Sequence, residues 1–162
     1  MHAKLIIARV LGCCLSGLHA KRAQALRIAV LSLLLGGSLS LSGIARGLHC
    51  RIAMRHRIKR ADRLLGNRAL WASRYDLYQA LAERWLVDLK QLLIVVDWSD
   101  MTADQKWHLL RASVAVEGRS VTLYEEVHPQ KHYGRPCVHK CFLKRMAQMV
   151  PLELPAILGG DG

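Results

Sequence analysis

Asp97 closes the run Leu92-Leu93-Ile94-Val95-Val96, and Asp161 follows a second apolar run, Ala156-Ile157-Leu158, after two glycines. Carboxylates at the ends of neighbouring strands are the groups that hold Mg²⁺, or Mn²⁺, in phosphoryl-transfer sites, because a hard cation prefers oxygen ligands and keeps several waters. Two such ions about 3.5–4 Å apart activate a water or a 3′-hydroxyl and stabilise the leaving oxygen of an in-line displacement. Asp97 and Asp161 are therefore the candidate catalytic and metal-holding residues. Pattern alone leaves a strand-end or capping role for Asp97 open. Asp100 reads as a loop or capping residue, and Glu125-Glu126 as a solvated strand end.

A second group of residues points to a polyanion. Arg51, Arg55, Arg57, Lys59, Arg60, Arg63 and Arg68 place seven cations in residues 51–68, against the single acid Asp62. With a helical period of 3.6, Arg51, Arg55, Lys59 and Arg63 share one face while Met54, Ile58, Ala61 and Leu65 share an adjoining apolar one. Such a helix is held down by a narrow seam and offers its remaining surface to phosphate. A solvated helix with incidental arginines is the alternative. Cys137 and Cys141 stand four apart near His132 and His139, a zinc-like spacing. No second cysteine pair accompanies them, and Cys141 facing the packing side of a helix accounts for the spacing. His128 and His132 read as loop histidines.

The elements that must position these residues follow from periodicity. Residues 21–35 predict a helix stopped by Gly36-Gly37, and Ser40 an N-cap for a short helix over 41–48. A basic helix over 51–65 ends at Gly66-Asn67. This order is helix-turn-helix-like. Residues 70–90 predict a further helix, with Trp71, Tyr75, Tyr78, Leu81 and Trp85 as a packing joint. Strand signals begin after residue 90. Residues 107–116 alternate, Glu117-Gly118 marks a hairpin, and Val121 and Leu123 continue the return strand. A polar loop over 128–136 leads to a helix buried on Val138, Phe142, Met146 and Met149, ended by Pro151. A last strand starts at Pro155. The fold class is α+β: a helical domain over 1–90, then a mixed sheet with a crossover helix over 91–162.

Bulk properties narrow the function classes. Of 162 residues, 52% are hydrophobic and 22% charged, which excludes wholesale disorder. The net charge is +12; residues 1–90 hold 16 Lys/Arg against 4 Asp/Glu and residues 91–162 hold 8 of each, so the whole excess lies in the first part. That distribution favours nucleic acid. Five cysteines, two of them the adjacent Cys13-Cys14, make no tidy disulfide framework and fit a reducing cytosol. The N-terminus imitates a signal peptide in Lys4 followed by Leu5-Ile6-Ile7, but Arg9 and His19 argue against export. Residues 28–35 are far short of the roughly 20 that a spanning helix needs. A soluble, cytoplasmic protein with no membrane partner is expected.

Three stretches carry a resemblance. Residues 58–68 contain Arg60-Ala61-Asp62-Arg63-Leu64-Leu65-Gly66-Asn67, the second is Val95-Val96-Asp97-Trp98-Ser99-Asp100, and residues 110–125 contain Val116-Glu117-Gly118-Arg119-Ser120-Val121. Over roughly residues 20–155 the chain resembles the N-terminal part of bacterial cut-and-paste transposases with an Asp-Asp-Glu triad, of the insertion-sequence-four family and its insertion-sequence-ten type. The resemblance implies a helical domain that binds double-stranded DNA at the element's terminal inverted repeats, then a ribonuclease-H-like core. It also implies Mg²⁺ (or Mn²⁺) in the parent enzyme, with Asp97 as the first acid and Asp161 at the place of the second. The family's second acid is followed by Ala-Gly-Phe, where this chain has Gly162. The third acid belongs to a later region, so these residues alone are expected to lack the parent activity and to hold no cofactor of certain identity. A non-catalytic regulator that occupies element ends or pairs with full-length transposase is the alternative.

Overall fold

The computed structural model describes residues 2–48, 50–87, 89–116, 118–150 and 156–160. The chain is α+β and divides into two compact units, residues 1–77 and 78–162. The division falls inside a helix, earlier than the boundary at residue 90 that composition marks.

In the first unit the helices are α1 (His2–Cys14), α2 (Ala20–Leu34), α3 (Leu41–Gly47), α4 (Met54–Leu65) and α5 (Arg68–Ala72), with the opening turn of α6 (Arg74–Leu86). The signal-like N-terminus is thus helical, and no helix among the described residues is long and apolar enough to cross a membrane. Ser40 caps α3 as expected, accepting from the Gly43 N–H at 3.0 Å. Small residues decide the packing: Ala29, Ala45 and Ala61 are buried with Ile44, and Leu33, Met54, Ile58 and Leu64 pack around them. The seam of α4 ends on Leu64 rather than Leu65, which is 63% exposed. A row repeating every 3.6 residues from Met54 falls between these two positions, and the neighbouring helices select one.

Helices α2 and α3 touch where Ser32, buried, donates to the Ile44 carbonyl at 3.0 Å. A Cβ on Gly47 would stand 1.9 Å from Ser32 Oγ and 2.8 Å from Ser32 Cβ. Gly47→Ala is therefore expected to destabilise this unit by about 1–3 kcal/mol, the usual cost of overpacking. Gly12→Ala, which meets nothing within 4 Å, should be neutral or stabilising through helix propensity. Thermal melts of the two variants check this: equal melting temperatures would contradict the tight α2–α3 approach.

The predicted helix over 70–90 is two helices. Asn67 accepts from the Leu70 N–H at 3.0 Å and starts α5 early, and Ser73 Oγ bonds back to the Ala69 carbonyl at 3.1 Å where α5 ends. Such back-bonding competes with the helical ladder and weakens it where α5 gives way to α6. Trp71 and Trp85 are 67% and 41% exposed.

The second unit holds the rest of α6, strands β1 (Leu92–Asp100), β2 (Trp107–Val116) and β3 (Arg119–Pro129), a 3₁₀ turn (Gln130–His132), α7 (Pro136–Ala147) and β4 (Ala156–Gly160). The sheet order is β3-β2-β1-β4, antiparallel except for the parallel β1–β4 pair. A parallel neighbour needs a crossover, and α7 supplies it. One sheet face carries Leu92, Ile94, Leu110, Ala112, Val114 and Tyr124, all at 1% exposure or less, and α7 buries Phe142 and Met146. The Tyr124 ring stacks on Phe142 at 5.1 Å and meets Tyr78 edge-on at 5.2 Å. A bulge at Ala112/Ser113 pairs Ala112 with Tyr124 and Ser113 with Thr122. Leu123 is then the extra residue, so Leu123 and Tyr124 are both buried despite being adjacent.

Candidate nucleic-acid interface and the Asp97 strand

Helix α4 turns three of the seven predicted cations into one exposed row. Arg55, Lys59 and Arg63 are four residues apart and exposed, with Arg63 Nε donating to the Lys59 carbonyl at 3.2 Å. Arg55 Nε reaches His56 Nε2 at 3.3 Å. Among the described residues none of the three has a carboxylate partner. Unpaired, hydrated cations on a fixed helical spacing are suited to phosphates along a duplex groove.

The other four cations are placed differently. Arg51 is exposed but precedes α4, whose first residue is Met54 with Ala53 at the N-cap, so it does not share the helical row. Arg68 is exposed and opens α5. Arg60 is exposed toward α2, beside Lys21 and Gln24. Arg57 is half-buried and donates to the Leu48 carbonyl at 3.4 Å, closing the turn before α4. Its part is structural; a count of arginines cannot tell a buried clamp from a free one.

Asp97 lies on the other unit and is exposed, yet it is not the last residue of its strand. The β1–β2 ladder continues through Asp97↔Arg111 and Trp98↔Leu110 to Asp100↔His108. Asp97 shares its face with exposed Leu93 and Val95, opposite the buried core face. Its cross-strand neighbour Arg111 donates to Glu125 at 3.1 Å. The last described pair of the parallel ladder is Val96↔Gly160. Asp161 itself lies outside the described residues. Among the described residues no group of three His, Cys, Asp or Glu side chains is arranged to hold a metal ion. Asp97 is exposed, and one carboxylate by itself does not make a magnesium site.

Alternation sends Trp98 to the opposite face, where it gathers side chains from β2, β3 and α7. Its indole N–H donates to His139, and the rings of His128 and Tyr133 lie 5.6 and 5.1 Å away. His108 is buried, with Nδ1 at 2.9 Å from Asp100 and Nε2 bonded to Gln130. Asp100 is thus a strand-end acid beside His108 that accepts from Gln105 in the β1–β2 turn at 2.9 Å, not a free loop residue. His128 belongs to β3, not to a loop. Cys137 and Cys141 are both exposed, so Cys141 does not face the packing side of α7.

Glu126 also departs from its expected solvated role. It accepts from Tyr124, from Arg145 at 2.6 Å and from His128 at 3.0 Å. Burial pushes its carboxyl up, but the hydrogen bonds from Tyr124 and Arg145 and the Arg145 and His128 charges outweigh this and hold it below the usual range. A depressed folded-state value stabilises the fold above the ordinary Glu range, near about pH 4.3, and that contribution is lost as pH falls through the lower value. Glu126→Gln is expected to cost about 1–3 kcal/mol at neutral pH. Urea midpoints of both proteins across the acid range should converge as pH drops; a gap independent of pH would rule out this account.

No family model, curated protein or solved structure matches this chain.

Proposed function

We propose that residues 1–77 form a helix-turn-helix-like module that binds duplex DNA, and that the sheet unit is a ribonuclease-H-like core of the kind found in cut-and-paste transposases. The observation that carries DNA binding is the exposed row Arg55, Lys59 and Arg63, free of carboxylate partners among the described residues. The core reading is supported by the sheet order β3-β2-β1-β4 with parallel β1 and β4. The Val96↔Gly160 pairing supports it further, since in the sequence each of these residues is followed by an aspartate, Asp97 and Asp161.

In this reading Asp97 and Asp161 would hold Mg²⁺ (or Mn²⁺), which supplies charge stabilisation at a transferring phosphoryl group when bound. Phosphoryl transfer would need a further acid from outside these residues, so DNA binding is the activity to test. Gel-shift titrations should show a preference for a duplex carrying the element's terminal inverted repeat over random duplex. Equal affinity for both would remove site-specific recognition. Asp97→Asn should leave binding unchanged or slightly tighter, because it removes a negative charge without touching α4; a tenfold loss would contradict the division of labour.

The same exposed row of Arg55, Lys59 and Arg63 supports a second reading, a non-catalytic DNA-binding regulator of transposition. Co-expression with an intact full-length transposase tests it. A lowered transposition frequency supports it, and an unchanged frequency counts against it.

A further inference from the structure

The first unit contains a half-open cavity of about 450 Å³ that neither DNA binding nor the Asp97 strand uses. Its wall is chiefly aliphatic, from Ile7 on α1, Ile28 and Leu31 on α2, and Leu35 and Leu48 beyond the helix ends. Small residues, Ala8 and Gly47, line it where larger ones would fill it. Two cations line this apolar space, Arg27 from α2 and Arg60 from α4. Arg60 and Gln24 also border an adjoining open depression that includes Lys21.

Two guanidinium groups bordering an apolar space favour an anionic head group, whose charge and paired oxygens match them. The cavity is of ligand size, and apolar walls with a few convergent polar groups are the usual make-up of small-molecule sites. A phosphodiester or sugar would leave the aliphatic wall unused, and a neutral hydrocarbon would leave the two lining cations without a counter-charge. One ligand class meets both demands. We propose that this cavity binds a medium-chain fatty carboxylate, its tail among Ile7, Ile28 and Leu31 and its carboxylate at Arg27 and Arg60. The proposal does not depend on the DNA-binding reading.

Calorimetric titration of the full chain with sodium decanoate, below its micelle concentration, provides the test. Saturable one-site binding is expected, and octanoate should bind roughly tenfold more weakly because two fewer methylenes are buried. Decyltrimethylammonium should bind at least tenfold more weakly than decanoate. Arg27→Gln should lose at least tenfold. Leu35→Glu, which sets a carboxylate beside the cavity at a position 54% exposed and so leaves the fold intact, should lose as much. Non-saturating uptake, equal binding of the cationic amphiphile, or unchanged affinity in Leu35→Glu would overturn the assignment. Sedimentation with phosphatidylglycerol vesicles that decanoate does not compete would assign the surface to a membrane instead, and would overturn it too.

Discussion

Phe142→Ala is expected to lower the stability of the sheet unit by about 3–5 kcal/mol, the range for truncating a large buried aromatic. Phe142 has no solvent exposure and lies on α7, the crossover between β3 and β4. Its ring stacks on Tyr124, which is equally buried and meets Tyr78 of α6 edge-on. Removing it leaves a cavity where two layers meet and strips Tyr124 of its stacking partner, so transfer, cavity and aromatic terms act together. Domain stabilities are commonly about 5–15 kcal/mol, so the loss is a large share of the total. With a urea m-value of about 1–3 kcal/mol/M, the midpoint should fall by roughly 1–5 M. Cys141→Ala, one residue away and exposed, should stay within about 0.5 kcal/mol. Comparable midpoints for the two variants would mean that α7 does not form the lid over this sheet.

Replacing Arg55, Lys59 and Arg63 together by alanine is expected to weaken duplex binding by about two to three orders of magnitude near 0.1 M salt, at roughly 1–1.4 kcal/mol per lost phosphate contact. The salt dependence is the sharper readout. Each neutralised phosphate contributes about −0.9 to the log–log slope, so the triple variant should be shallower by about 2.7. The three residues are exposed and lie off the seam of Met54, Ile58, Ala61 and Leu64, so the fold should survive. Lys140→Ala, an exposed cation on α7, should change neither affinity nor slope. Arg57→Ala should behave differently from all of these, lowering stability through the lost bond to Leu48 while leaving the slope nearly unchanged. A triple variant with the parental slope would exclude α4 as the phosphate-contacting element.

Much of this architecture follows from local sequence. Gly36-Gly37, Ser40 and Gly66 punctuate the first unit because helix ends leave backbone groups that particular residues satisfy. The strand–hairpin–helix–strand order of the second unit is legible for a similar reason: a period of two and a period of 3.6 are properties of the chain itself. The concentration of positive charge in the first part needs no structure to be seen.

Tertiary structure decided what periodicity leaves degenerate. It chose Leu64 over Leu65, buried Leu123 beside Tyr124 through a bulge, and carried β1 past Asp97 because β2 kept pairing with it. It also sorted residues of one type into different roles: Arg57 clamps a turn while Arg55 faces solvent, and Glu126 is held by three partners where a strand-end acid would be solvated. The physical reason is common to all of these. Burial and partner geometry depend on side chains distant in sequence, and the local pattern that builds a helix or strand carries no record of which neighbours it will meet.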